Sequence, residues 1–125
     1  MSHRSPVRSL LVGAAAGLLL TACGGDEEAG APSADADATI TVTAGDMFFE
    51  PEELSTDAGT IAIELANEGA IVHNLVIEQT GTKVAEADGG ATDTGVVALE
   101  AGTYTFYCDV AGHRQAGMEG TLEVA

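Results

Sequence analysis

An all-β sandwich is the fold this sequence predicts, on three observations: short runs alternating apolar and polar residues, glycine-bearing turns between them, and no convincing long amphipathic helix. In residues 39–44 (TITVTA), Ile40, Val42 and Ala44 alternate with threonines. Residues 60–65 (TIAIEL) place Ile61, Ile63 and Leu65 on one side. Residues 71–78 (IVHNLVIE) and 94–99 are strand-like, 103–108 (TYTFYC) alternate clearly, and 121–124 close the chain. Turn signals separate the runs: DAG at 57–59, NEG at 67–69, TG at 80–81, DGG at 88–90 and EAG at 100–102. No internal repeat is present.

The 125 residues allow one ordinary domain. Residues 1–22 are excluded from it. Arg4 and Arg8 form a basic start, and residues 10–22 (LLVGAAAGLLLTA) form an apolar run of signal-peptide length. A membrane-spanning helix needs about 20 apolar residues, so this run is too short to be one. The sequence Leu20-Thr21-Ala22-Cys23 resembles the lipobox of bacterial lipoproteins. That resemblance implies a lipid on Cys23, anchoring an extracytoplasmic protein to the cell membrane, in the periplasm for a two-membrane cell. The alternative is an ordinary secretory signal followed by a chance cysteine.

Residues 24–38 (GGDEEAGAPSADADA) contain no large apolar side chain and five acidic ones. Such a tract buries too little surface to offset its ordering entropy, so residues 23–38 read as a lipid-anchored, disordered acidic linker. Its root-mean-square reach would be roughly 20 Å. The folded domain is then residues 39–125, a modest but viable core.

Charge and cysteine usage narrow the function. Beyond Cys23 lie 20 acidic residues but only Lys83 and Arg114 as cations, and two against 20 leaves −18. Phosphates would be repelled, which excludes nucleic acid as a partner. A basic redox or binding partner would be steered in; a surface suited to high salt is the plainer reading, and the two are compatible. If Cys23 carries lipid, Cys108 is a lone thiol in a disulfide-forming compartment. Burial or a metal bond would protect it from oxidation.

The segment Cys108-Asp-Val-Ala-Gly-His113-Arg-Gln-Ala-Gly-Met118 spaces three metal-capable side chains five residues apart. Five residues turn a helix through about 500°, and an odd step in a strand changes face, so neither regular structure gathers them. A loop can, and Gly112 and Gly117 stand immediately before His113 and Met118, as tight turns require. Alternation places Cys108 on the face of Tyr104 and Phe106, and His73 on the face of Leu75 and Ile77. Both point from strand ends towards the core, unless a bulge intervenes. Beyond Cys23 the only histidines are His73 and His113. Two His, one Cys and a weak axial Met form the ligand set of a blue-copper site.

These residues resemble the cupredoxins, the small blue-copper proteins that include plastocyanin, azurin and auracyanin. The likeness rests on His73-Asn74 at the head of a strand, Tyr104-x-Phe106-x-Cys108, the Cys-x4-His-x4-Met loop, and Ala116-Gly117-Met118-x-Gly120-Thr121-Leu122 as the exit from that loop. Upstream, Phe49-x-Pro51, Leu54 and Asp57-Ala58-Gly59 resemble the family's N-terminal strand pair. The resemblance implies a Greek-key sandwich holding one copper ion. His73, Cys108 and His113 would lie in its near-trigonal plane, with Met118 as the long axial ligand. Asn74 would brace the two loops and hydrogen bond near the sulfur, and His113, nearest the surface, would be the electron port.

Two family positions differ. Asp109 follows the cysteine where Ser or Thr is frequent, adding a charge that would lower the reduction potential. Ala111 replaces a frequent Pro, which would loosen the loop. Gln115 is the alternative axial group, with Met118 then a core filler. Met47, before Phe48 and Phe49, reads as packing, and Arg114 as either a docking cation or a solvated one.

The implied function is single-electron transfer between a donor and an acceptor protein outside the cytoplasmic membrane, without catalysis. A copper chaperone or store using the same ligands is the competing reading. A copper nitrite reductase needs further histidines, a dinuclear copper centre needs two loop cysteines, and a zinc hydrolase would leave Met118 idle with no evident general base.

Overall fold

The computed structural model describes residues 35–125. The expected signal peptide, the lipidated Cys23 and the linker as far as residue 34 lie outside the described residues. Among the described residues the elements follow in the order β1 (Ala38–Gly45), β2 (Phe48–Glu50), β3 (Glu53–Thr56), β4 (Gly59–Asn67), β5 (His73–Ile77), β6 (Thr82–Ala87), β7 (Thr92–Leu99), β8 (Gly102–Tyr107), α1 (His113–Ala116) and β9 (Glu119–Val124). They form a four-stranded sheet, β2-β1-β4-β7, and a five-stranded sheet, β3-β9-β8-β5-β6. The fold is an all-β sandwich.

Two pairings are parallel, β1 with β4 and β3 with β9, and each needs a crossover between the sheets. The chain makes the first one early. It leaves β1 by a turn into β2, passes Pro51 into the other sheet as β3, and returns as β4. The family-like segment at 49–59 therefore does contain two strands, but they pair with β1 and β9 rather than with each other.

The core lies between the sheets, as the alternation requires. Ile61, Ile63 and Leu65 of β4 and Val42 and Ala44 of β1 face Leu75 and Ile77 of β5, Phe106 of β8 and Leu122 of β9, all buried. The rings of Phe49 and Phe106 meet across the sandwich with centroids 5.4 Å apart.

Strand β6 is absent from the alternation pattern. It carries a bulge: Leu75 pairs with Ala85 and Val76 with Lys83, so Val84 is an extra residue, and Val84 and Ala85 are both buried. Two consecutive buried residues break the period of two, and the exposed Lys83 hides the rest. The bulge lies in β6, so the phase of β5 is intact and His73 keeps the face of Leu75 and Ile77.

Both cations are neutralised. Lys83 bonds Glu86 and lies 3.6 Å from Asp109, while Arg114 bonds Glu78 at 2.8 Å and also Glu119. The remaining acidic surface repels itself. Raising salt from about 10 mM to about 1 M shrinks the screening length from about 30 Å to about 3 Å. Thermal melts over that range should show Tm rising by several degrees, since about 1 kcal/mol corresponds to about 4–8 °C for a domain of this size. A falling Tm would mean that the four ion pairs outweigh the repulsion.

Candidate metal centre

The site forms where β5 and β8 part. Their pairing runs only through Ile77–Phe106 and Val76–Tyr107. Beyond it the strands diverge, leaving His73 at the head of β5 and Cys108 just past the end of β8. Asn74 replaces the lost ladder bonds: its Oδ1 accepts the Asp109 N–H at 2.8 Å, and its Nδ2 donates to Asp109 Oδ1 at 2.5 Å. A gap for a ligand is thus opened and braced at once. The bracing reaches the residue after the sulfur, and the donor bonds of Asn74 go to Asp109 and Glu86.

The segment from Cys108 to Met118 is more ordered than a plain loop, because one helical turn, α1, occupies its middle. The His113 N–H bonds Val110 O at 3.0 Å, the Met118 N–H bonds His113 O at 3.1 Å, and the Cys108 N–H bonds Met118 O at 3.1 Å. The last bond sets Met118 directly across from the cysteine. Gly112 (φ 82°) and Gly117 (φ 122°) flank the turn in backbone conformations that side chains rarely adopt. The five-residue spacing is thereby resolved: a turn of helix between two left-handed glycines reverses the chain twice.

These devices bring His73, Cys108 and His113 together. Their ligand atoms all lie within 4.8 Å of one another, and all three residues are buried. Nδ1 of His73 is 3.2 Å from Nδ1 of His113, which is in turn 3.5 Å from Cys108 Sγ. Cys108 is a free thiol. Met118 is fully buried in the same hydrophobic core as Cys108, whereas Gln115 is exposed, so burial favours Met118 over Gln115 as the fourth donor. Of the four, His113 is the most accessible, at 6 %. Two imidazole nitrogens, a thiol sulfur and a nearby thioether make a soft, closed donor set.

Three surroundings differ from expectation or escaped it. Met47 lies outside the buried core: it occupies the β1–β2 turn with φ 77° and is 38 % exposed. Arg114 is not simply solvated. Its two carboxylate partners and the Tyr107 ring, 4.2 Å from its guanidinium carbon, hold it against β8. Asp46 was not singled out by the sequence, yet its Oδ1 lies 3.1 Å from His73 Nε2. The Ala70 amide, and secondly His73, hold its carboxyl below the ordinary range. No feature of the sequence marks it beyond a turn-forming residue after Gly45.

Glu86 is likewise held below the ordinary carboxylate range, first by its bond from Asn74 and then by Lys83. Because its folded value is depressed, this contribution to stability is complete above the ordinary range and is lost as pH falls through the lowered value.

The cupredoxin-like domain family model matches residues 13–124. The chain belongs to the cupredoxin-like family. This cupredoxin has no match among curated protein sequences. Among solved structures it is similar to auracyanin B, with 20 % identity, a TM-score of 0.62, and 78 % of this chain and 93 % of that one covered. It is also similar to dithionite-reduced auracyanin from the photosynthetic bacterium Roseiflexus castenholzii, at 24 % identity and TM-score 0.61 over 72 % and 98 % of the two chains. Auracyanin A, a "blue" copper protein from Chloroflexus aurantiacus, matches at 24 % identity and TM-score 0.56, covering 70 % of this chain and 99 % of that one. At these identities the likeness establishes the fold. Within the family, the arrangement of His73, Cys108, His113 and Met118 fits one type 1 copper ion.

Proposed function

We propose that this cupredoxin is a single-electron carrier. His73, Cys108, His113 and Met118 would hold one copper ion, and Asn74 braces the strands that present them. It performs no catalysis. The convergence of three buried donor atoms within 4.8 Å carries the reading. Bound there, copper would supply a one-electron couple; the protein supplies fixed donors, exclusion of water, and His113 as the ligand nearest solvent.

The protein is extracytoplasmic and held to the membrane through lipid on Cys23. Asp37 bonds Thr60 at the start of β1, whereas the donor set gathers beyond the other end of that strand. Eight residues of strand separate the two ends by roughly 25 Å. The described chain therefore enters the domain at the end opposite the donor set, which leaves the metal end clear for a partner on the same membrane surface. With −18 charges beyond Cys23, that partner presents a basic docking surface.

The test is to add one equivalent of Cu(II) to the purified full chain, then cycle it with reductant and oxidant beside a Cu(I) chelator. An intense visible band that bleaches and returns over repeated cycles, with copper retained, is expected. Cationic small-molecule oxidants should react at least about tenfold faster than anionic ones at low salt, and the gap should close as salt rises. Ready loss of copper to the chelator would replace the carrier with a copper chaperone or store. No visible band would remove the blue-copper assignment.

A further inference from the structure

We propose that Asp46 is a positioning residue for His73, fixing the orientation and tautomer of its imidazole so that Nδ1 faces the other metal donors. The proposal deepens the copper reading above and rests on it. Asp46 directly follows β1 at the metal end and lies 27 residues before His73. One oxygen, Oδ1, accepts both the Ala70 N–H at 3.0 Å and His73 Nε2 at 3.1 Å; Oδ2 lies 3.1 Å from the same Ala70 N–H. The β1–β2 turn is thus tied at one point to the residues leading into β5 and to the ligand itself.

The surroundings are shaped for this contact. A Cβ on Gly69 would stand 2.3 Å from Asp46 Oδ1, so any side chain there would crowd the carboxylate out of this position. His73 is fully buried, whereas the Asp46 side chain is 47 % exposed. The aspartate therefore joins a buried ring to the surface of the metal end.

Tautomer follows from donor and acceptor roles. A neutral imidazole carries hydrogen on one nitrogen and a lone pair on the other. An ionised carboxylate only accepts, so Nε2 must carry the hydrogen. The lone pair is left on Nδ1, the atom 3.2 Å from His113 Nδ1. Without Asp46 the two tautomers compete, and the form with hydrogen on Nδ1 cannot ligate through that atom. Partners that orient a ligating histidine in this way typically alter metal affinity by about 10–100-fold when removed.

The test compares the full chain with Asp46→Ala and Asp46→Asn, all labelled with nitrogen-15. Imidazole nitrogen shifts of His73 in metal-free protein read the tautomer directly, and Cu(II) competition against a chelator reads affinity. The wild type should show a single tautomer with hydrogen on Nε2. Asp46→Ala should mix the tautomers and weaken copper by about 10–100-fold. Asp46→Asn should restore the tautomer and most of the affinity, because a single amide oxygen can accept both hydrogens that Oδ1 now accepts. A His73 that keeps its tautomer in Asp46→Ala, or an Asn variant as poor as Ala, overturns the proposal. If Asp46→Ala does not fold, mixed tautomers in a folded Asp46→Asn overturn it, and a retained one supports it. Because the tautomer is read without metal, a wild type that takes up no copper defeats the carrier reading while leaving this one decided.

Discussion

Cys108→Ser should leave the sandwich folded and remove the visible charge-transfer band altogether. The thiolate is the one donor whose replacement changes the chemistry of the site without emptying it. Serine is close in volume, but its hydroxyl stays neutral at working pH and is a hard oxygen where the set needs a soft sulfur. The backbone of residue 108 keeps its bond to Met118 O. The new hydroxyl has His113 Nδ1 within reach, since Sγ now lies 3.5 Å from it. A stability loss of about 1 kcal/mol or less is therefore expected. Copper affinity should fall by more than the roughly 10–100-fold that losing an outer hydrogen bond costs. Visible spectra, copper competition and thermal melts on the same sample separate these effects. A coloured serine variant would show that the thiolate is not a ligand. A colourless one with a collapsed Tm would show that Cys108 acts through packing instead.

The sequence revealed those parts of the fold in which one face is buried and the other wet. Strands β1 and β8 alternate because threonines face outward against Val42 or Phe106 facing in. That signal failed in β6, where the bulge buries two consecutive residues. The four candidate donors stood out for a different reason: few side chains in the chain suit a soft metal, so their order and spacing are conspicuous. The helical turn α1 was not legible, since four residues between two glycines make no periodic pattern. Asp46 was hidden more deeply. It is one of 20 acidic residues, and its partner becomes a neighbour only when the β1–β2 turn meets the connection ahead of β5. Arg114 shows the same limit, because its three partners at positions 78, 107 and 119 are gathered only by the sheet.

Phe106→Ala should cost about 3–5 kcal/mol, and Gly120→Ala about 1–3 kcal/mol, by opposite routes to the same contact. Phe106 is 1 % exposed, lies two residues before Cys108 on the same face, and pairs with Gly120 of β9. Its ring fills the space that the glycine leaves: a Cβ at position 120 would stand 2.2 Å from the ring and 2.5 Å from Glu52 O. The first variant opens a cavity beneath the site. The second drives a wedge between a ring and a backbone that cannot yield cheaply, pushing Phe106 towards Cys108. At about 4–8 °C per kcal/mol, both shifts are readily measured. Colour should distinguish them, with the wedge disturbing the copper band more per degree of Tm lost than the cavity does. The decisive measurement is the double variant Phe106→Ala/Gly120→Ala. With the ring gone, the clash against it disappears and only the contact with Glu52 O remains, so the combined loss should fall short of the sum by about 1 kcal/mol. Strict additivity would mean that the two positions destabilise independently, and that the ring beneath the cysteine is not held by the glycine opposite it.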